Sequence, residues 1–138
     1  MASINQTILI RTDLFQLPED IGLLSAQVAH IHFQLVRETM LQNSLNYPIA
    51  GVTDTYDFKE WIQEPYLLVK RVPNAEALNF FKEEAERTGL TVRSWTDTVY
   101  VRLSKTQQKA FPNVLVGISI GPSDSDKIRT ILGDLPLL

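Results

Sequence analysis

The sequence predicts an α/β sandwich, in which helices pack on a four-stranded mixed sheet in the order β-α-β-α-β-β-α. Strand-like and helical segments alternate along the chain, and this alternation favours parallel strands joined by helical crossovers. Residues 114–120 form an almost uninterrupted apolar run, typical of a central strand covered on both faces. With 138 residues, 44% of them hydrophobic, the chain is long enough for one core. We therefore expect residues 1–138 to form a single domain.

The first half of the chain predicts one strand and one long helix. Residues 6–11 predict a short, mostly buried strand, and the connection 13–21 leads into a helical pattern over residues 21–42. One apolar stripe of this helix has the spacing i, i+4, i+7, i+11 and consists of Leu24, Val28, Ile31 and Leu35. A second apolar side consists of Ala29, Phe33 and Val36. The helix should therefore be buried on more than one face.

The middle of the chain predicts a long connection followed by a strand and a helix. Residues 43–65 contain two prolines, Pro48 and Pro65, and one glycine, Gly51. Within this connection, residues 54–63 predict a short helix or lid. Residues 66–72 predict a second strand. Asn74 is a candidate N-cap for a helix over 75–87 that ends before Gly89.

The last part of the chain predicts two strands and a helix. Residues 90–97 predict the third strand, and residues 114–120 the fourth, which Gly121-Pro122 should end. Residues 126–132 predict a final helix before Gly133.

Composition and charge exclude several classes of function. The chain has no cysteine, so disulfides and thiolate chemistry are excluded, and its net charge of −3 argues against a globally basic nucleic-acid binder. No apolar run reaches the roughly 18 residues that span a bilayer, and no secretory signal is recognisable, so we expect a cytoplasmic protein. His30 and His32 are two residues apart on a helix and point in different directions. With no metal-ligand cluster or phosphate-binding glycine loop, we expect no metal and no cofactor.

One face of the first helix carries polar side chains that could serve a site. At 100° per residue, a sector of roughly 80° contains Leu23, Gln27, His30, Gln34 and Arg37. Beside a groove, these groups would offer hydrogen bonds to a phosphate or a carbonyl. In the alternative interpretation, Gln34 and Arg37 are solvated, and Gln27 and His30 form hydrogen bonds with nearby backbone groups.

Asp97, at the end of the third predicted strand, is the best candidate for a general base or a carboxylate that orients water. Ligands in α/β sheets bind at strand ends. A carboxylate needs desolvation or a partner to act as an effective base. The alternative is a turn or capping residue.

Residues 102–109 contain three cations and no acid, namely Arg102, Lys105 and Lys109. We interpret this segment as a loop that, with Lys70 and Arg71, could contact RNA phosphates. The alternative is a solvated charge cluster. Trp61 and Tyr100 are candidates for stacking on a terminal base, although for Trp61 the favoured interpretation is that it packs the long connection against the domain.

The segment Gly22-Leu-Leu-Ser-Ala-Gln27-Val-Ala-His30 resembles the first functional helix of the archaeal and eukaryotic-type (type 2) peptidyl-tRNA hydrolases. Further motifs follow in the family's order, namely Arg11-Thr12-Asp13-Leu14, Asp97, Leu115-Val-Gly117-Ile118, Gly121-Pro122 and Gly133-Asp-Leu-Pro-Leu-Leu. Leu23 replaces the family's lysine, Ser119 stands where the second glycine is expected, and the loop after Asp97 is altered.

The resemblance implies hydrolysis of the ester between a peptide and tRNA, carried out by a homodimer. Asp97 would activate water, Gln27 with His30 would stabilise the oxyanion, and Arg102, Lys105, Lys109 and Arg37 would hold tRNA. Because of Leu23, a second hypothesis is a binding module on the same scaffold, for RNA, protein or a small molecule. A third is a different small hydrolase or transferase built around Asp97 and His30.

Overall fold

The computed structural model describes residues 3–15, 18–45 and 55–138. Within them the elements are β1 (Ile4–Arg11), α1 (Ile21–Leu45), α2 (Thr55–Trp61), β2 (Tyr66–Val72), α3 (Ala75–Arg87), β3 (Val92–Arg102), β4 (Gln108–Asp124) and α4 (Ser125–Leu132). A 3-10 turn at Pro18–Asp20 precedes α1. The predicted order is confirmed, with α2 in the segment where a short helix or lid was expected. Pro48 and Gly51 of the long connection lie outside the described residues.

The four strands form one mixed sheet in the order β2-β1-β4-β3. The central strand β1 pairs in parallel with β2 and antiparallel with β4, and β3 pairs antiparallel with β4 along the other edge. The predicted four-stranded mixed sheet is therefore confirmed. Strands β1, β2 and β3 all point the same way, so their carboxyl ends share one edge of the sheet with the start of α1.

Helices cover both faces of the sheet. On one face, α3 and α4 pack on buried residues such as Leu9 and Ile118. On the other face, α1 places Ile31 against Ile8, Ile10 and Val116. Consecutive residues of β1 and β4 are buried because their side chains point alternately to the two helical layers, as an α/β sandwich requires.

Among the described side chains of α1, the fully buried ones lie on one side of the helix, and Val36 of the second predicted side is half-buried. Ile31 and Leu35 are fully buried, and Leu24 and Val28 pack partly against the same cluster, so the predicted stripe is confirmed. The expected burial of a second side is wrong, since Ala29 is exposed and 62% of Phe33 is exposed. The helix lies on the outside of the sheet, so its far side does not face the core.

The β3–β4 hairpin is longer than the sequence predicted. Strand β3 continues to Arg102, and β4 begins at Gln108, so the expected loop over 102–109 shortens to a turn closed by the hydrogen bond from Leu103 N to Gln107 O. Residues 98–113 are called here the hairpin arm, and the end of the hairpin lies roughly 20 Å past the end of β1, at about 3.3 Å per residue. The arm is solvated on both faces over most of its length, so burial patterning gave no signal for it.

Strand β4 also continues past Gly121-Pro122 to Asp124. Gly121 has a φ of +93°, and its peptide bond to Pro122 is cis. The pairing with β1 continues past this position after a register shift, so the predicted end of the strand at Gly121-Pro122 is wrong.

The caps of α3 agree with the sequence prediction. Asn74 Oδ1 accepts a hydrogen bond from Ala77 N at 2.9 Å, and Gly89 follows the helix with a φ of +82°. Among the described residues, no helix combines the length and the apolar character needed to cross a membrane.

Candidate functional site

A side-chain network connects α1 to β3 at the carboxyl edge of the sheet. Gln27 donates from Nε2 to Asp97 Oδ2 at 3.0 Å, and its Oε1 accepts from Trp95 Nε1 at 2.6 Å. The second carboxylate oxygen of Asp97 accepts from the backbone N–H of Thr98 at 2.8 Å. The carboxylate is therefore held by donors on both oxygens, in a fixed orientation beside the first helix. Asp97 therefore accepts both a local hydrogen bond from the Thr98 backbone and a hydrogen bond from the Gln27 side chain of α1.

The pairing of β3 with β4 is irregular on both sides of Asp97. The register shifts once between Trp95 and Thr96 and again between Asp97 and Val99. Such bulges redirect side chains and are frequent beside functional sites. Trp95 and Asp97 are alternate residues of β3 and present their polar atoms to the same amide of α1.

His30 lies one turn further along α1 and contacts the same network. Its ring centroid is 5.5 Å from that of Trp95, in a tilted arrangement, and the residue is exposed. Gln27, His30 and Asp97 are thus brought together. Leu23, one turn before Gln27 on the same side of α1, is 56% exposed.

A groove continues from His30 along α1. Its volume is about 290 Å³, and its lining comprises His30, Phe33, Gln34, Arg37, Glu38 and Trp95. Glu38 forms an ion pair with Arg93 of β3, which fastens the far part of the helix to the sheet. Arg37 lies exposed at that end. The polar helix face predicted from the sequence therefore does border a groove.

The cations of residues 102–109 lie on the hairpin arm. Lys105 and Lys109 are exposed, and Lys109 Nζ lies 5.1 Å from the centre of the Phe111 ring. The side chain of Arg102 lies outside the described residues. Tyr100, also on the arm, is 61% exposed and remains free to stack on a ligand.

Two sequence interpretations of ligand contacts are wrong. Lys70 and Arg71 lie on β2, across the sheet from β3, and Lys70 Nζ donates to Leu132 O, so they form no common patch with the arm. Trp61 is 1% exposed and donates to Tyr66 O at 2.8 Å, so it packs α2 and cannot stack on a base.

Sequence reasoning missed Trp95 as a member of the network. A signal existed, since Trp95 stands two residues before Asp97, and alternate residues of a strand share a face. The indole N–H is a donor with no accepting capacity, so once buried against α1 it needs an acceptor such as the Gln27 amide.

A second polar cluster lies under α1, on the same face of the sheet. His32 Nδ1 is 2.7 Å from Gln6 Oε1, and Gln6 Nε2 donates to Ser119 Oγ at 2.8 Å. Burial lowers the pKa of His32. Gln6 and Ser119 are fully buried, so these hydrogen bonds satisfy polar groups of the core. Among the described residues, no group of three or more His, Cys, Asp or Glu side chains could hold a metal ion.

The fold and this network together define a small α/β protein with a carboxylate-centred site at one sheet edge. A family model described as Peptidyl-tRNA hydrolase PTH2 matches residues 4–138. The chain belongs to this family, which confirms the resemblance found in the sequence. No curated protein matches the chain.

Proposed function

We propose that this protein hydrolyses the ester bond between a peptide and the 3′ end of tRNA. The observation that carries the proposal is the hydrogen bond from Gln27 to Asp97, because it joins the family's helix motif to a carboxylate in the middle of β3. Family membership supports a tRNA-linked substrate. We further propose a single cytoplasmic domain over residues 1–138 that acts as a homodimer.

Asp97 is the proposed general base. Its oriented carboxylate takes a proton from a water molecule while the water oxygen attacks the ester carbonyl carbon. The resulting tetrahedral oxyanion collapses, the bond to the ribose oxygen breaks, and that oxygen takes up a proton. The products are a peptide with a free carboxyl group and a tRNA with a free 3′-terminal ribose.

Gln27 and His30 are the proposed partners of the oxyanion. Gln27 donates one Nε2 hydrogen to Asp97, and the second Nε2 hydrogen is available to the substrate. His30 is exposed beside it and has a ring nitrogen for a further hydrogen bond. Such donors matter when they already point to the site where charge develops.

The cations provide the proposed grip on tRNA. Lys105, Lys109 and Arg102 belong to the hairpin arm, and Arg37 belongs to the groove on α1. No acid occurs between Asp97 and Asp124, so the arm has no internal carboxylate to compete with phosphate for its cations.

The test is hydrolysis of an N-blocked aminoacyl-tRNA by the purified protein. Asp97→Asn should lower kcat at least about 10²-fold, because the loss of a general base typically costs that much. Asp126→Asn is the matched control, since Asp126 is an exposed acid on α4, on the opposite face of the sheet. Its rate should equal that of the wild type.

Two results would contradict the proposal. Wild-type turnover no faster than the buffer rate at high protein concentration would exclude the hydrolase. An Asp97→Asn variant as fast as the wild type would exclude this site. Tight, strongly salt-dependent tRNA binding without turnover would instead identify an RNA-binding module.

A further inference from the structure

We infer that the groove along α1 binds the terminal nucleotide of the tRNA acceptor end, with the base stacked on its aromatic wall and a phosphate at Arg37. The inference rests on the proposed function for the identity of the substrate. It goes further by assigning a single-stranded nucleotide to a groove beside the reacting ester.

The aromatic wall is the first argument. Three rings line the groove, those of His30, Phe33 and Trp95. Phe33 is 62% exposed, although its neighbours along α1, Ile31 and Leu35, are buried. A planar base can cover such a ring whatever its sequence, and base–aromatic stacking is the usual way in which proteins hold unpaired nucleotides.

The polar groups are the second argument. Gln34 lines the groove, and its side-chain amide can form hydrogen bonds with the edge of a base. Arg37 contributes a cation at the open end. The one acid in the lining, Glu38, is paired with Arg93, so the groove presents a net positive charge to a phosphate.

The position along the helix is the third argument. His30 and Gln34 are about 5 and 10 Å beyond Gln27 along the axis of α1, at 1.5 Å per residue. In the substrate, the terminal base and the ester belong to the same ribose. With the ester beside Asp97 and Gln27, the base is therefore within reach of the groove.

A peptide is the competing occupant. The peptide part of the substrate varies in side chain, so a general peptide site would depend on backbone donors and acceptors. The groove offers side chains, with one amide, one guanidinium and three rings. Its chemistry favours the nucleotide.

The experiment measures the affinity for the RNA trinucleotide CCA, which has the sequence of the tRNA 3′ end, together with kcat and KM for N-blocked aminoacyl-tRNA. Phe33→Ala should weaken trinucleotide binding about 5- to 100-fold, the range found for the loss of one stacked base. It should raise KM more than it lowers kcat. Arg37→Gln should weaken binding and reduce its salt dependence.

Two controls match these variants on the opposite face of the sheet. Phe80 of α3 is 56% exposed, and Arg129 of α4 is 72% exposed in its side chain. Phe80→Ala and Arg129→Gln should leave the trinucleotide affinity and KM unchanged. Thermal melting shows whether each variant is folded, and exposed positions are expected to tolerate the changes.

The outcomes separate this inference from the proposed function. Wild-type turnover with trinucleotide binding that is absent, or unaltered by Phe33→Ala and Arg37→Gln, overturns the groove assignment and leaves the hydrolase standing. Trinucleotide binding that depends on Phe33, in a protein without turnover, supports the groove and overturns the hydrolase. A Phe33→Ala effect that grows with peptide length, while trinucleotide affinity is unchanged, assigns the groove to the peptide and overturns the inference.

Discussion

Gln27 is the residue that unites the proposed site. Its amide accepts from Trp95 and donates to Asp97, so the orientation of one side chain is fixed from two directions. An amide is suited to this task because it is donor and acceptor at once. The carboxylate is therefore positioned by α1 as well as by its own strand.

Leu23 stands at the position where the family resemblance implies a lysine, and we propose that the site departs from the family pattern there. It lies one helical turn before Gln27 and is exposed, so a lysine should fit without repacking the core. We expect Leu23→Lys to raise kcat for N-blocked aminoacyl-tRNA about 10²-fold, the usual contribution of one oriented electrostatic group.

Leu23→Met serves as the control for side-chain length without charge. An unchanged rate in Leu23→Lys, in a variant that melts like the wild type, would show that the remaining site does not use a cation at this position.

His32 should make stability depend on pH. Burial lowers its pKa from the ordinary value of 6.5, so the unfolded chain takes up a proton at a higher pH than the folded protein does. This contribution to stability is complete above pH 6.5 and is lost as pH falls through the folded pKa. The free energy of unfolding, from urea titrations at pH 7 and pH 5, should fall less in His32→Gln than in the wild type. An identical fall in His32→Gln and in the wild type would contradict this account.

At the scale of elements, the contact between α1 and the sheet depends on Gly117. A methyl group at this position would lie 2.7 Å from Leu9 O and 2.8 Å from Ile31 Cδ1. Gly117→Ala should therefore lower the free energy of unfolding by about 1–3 kcal/mol, as overpacked cores do. Chemical denaturation measures this change.

Gly22 provides the matched control in the first turn of α1. No atom lies within 4 Å of a methyl group added there, so Gly22→Ala should be neutral or stabilise by about 0.5 kcal/mol. Equal effects of the two substitutions would refute the packing argument.

The elements that the sequence predicted well are those that bury a patterned face. The stripe ending in Ile31 and Leu35 located α1, and the apolar run 114–120 located the core of β4. The hairpin arm was missed because its ladder hydrogen bonds leave no periodic burial. The residues of the proposed site likewise divide into those with a sequence signal and those without one. Gln27, His30 and Asp97 could be named from their motif, whereas the pairing of Trp95 with Gln27 depends on how α1 crosses β3.

At the scale of the whole molecule, the net charge is −3, but positive charge is concentrated on the hairpin arm. The arm carries its cations without acids, on the same sheet edge as Asp97. We expect the double variant Lys105→Gln, Lys109→Gln to weaken tRNA binding and to lower the slope of log affinity against log salt by about 1 for each lost phosphate contact. Lys127→Gln, on the opposite face, should do neither. If the double variant and Lys127→Gln both keep the wild-type slope, the arm is not part of the tRNA-binding surface.

The central position of β1 has a consequence for the order of folding. Gln6 of β1 and its partner Ser119 are 113 residues apart in the chain, and β1 pairs with β2 across about 60 residues. The β3–β4 hairpin, in contrast, closes through a turn of a few residues. Local pairings form before distant ones because the loops that they close are shorter. Strand β1 is therefore expected to be the last to join the sheet, and pulse-labelled hydrogen exchange should protect the amides of β3 and β4 before those of β1.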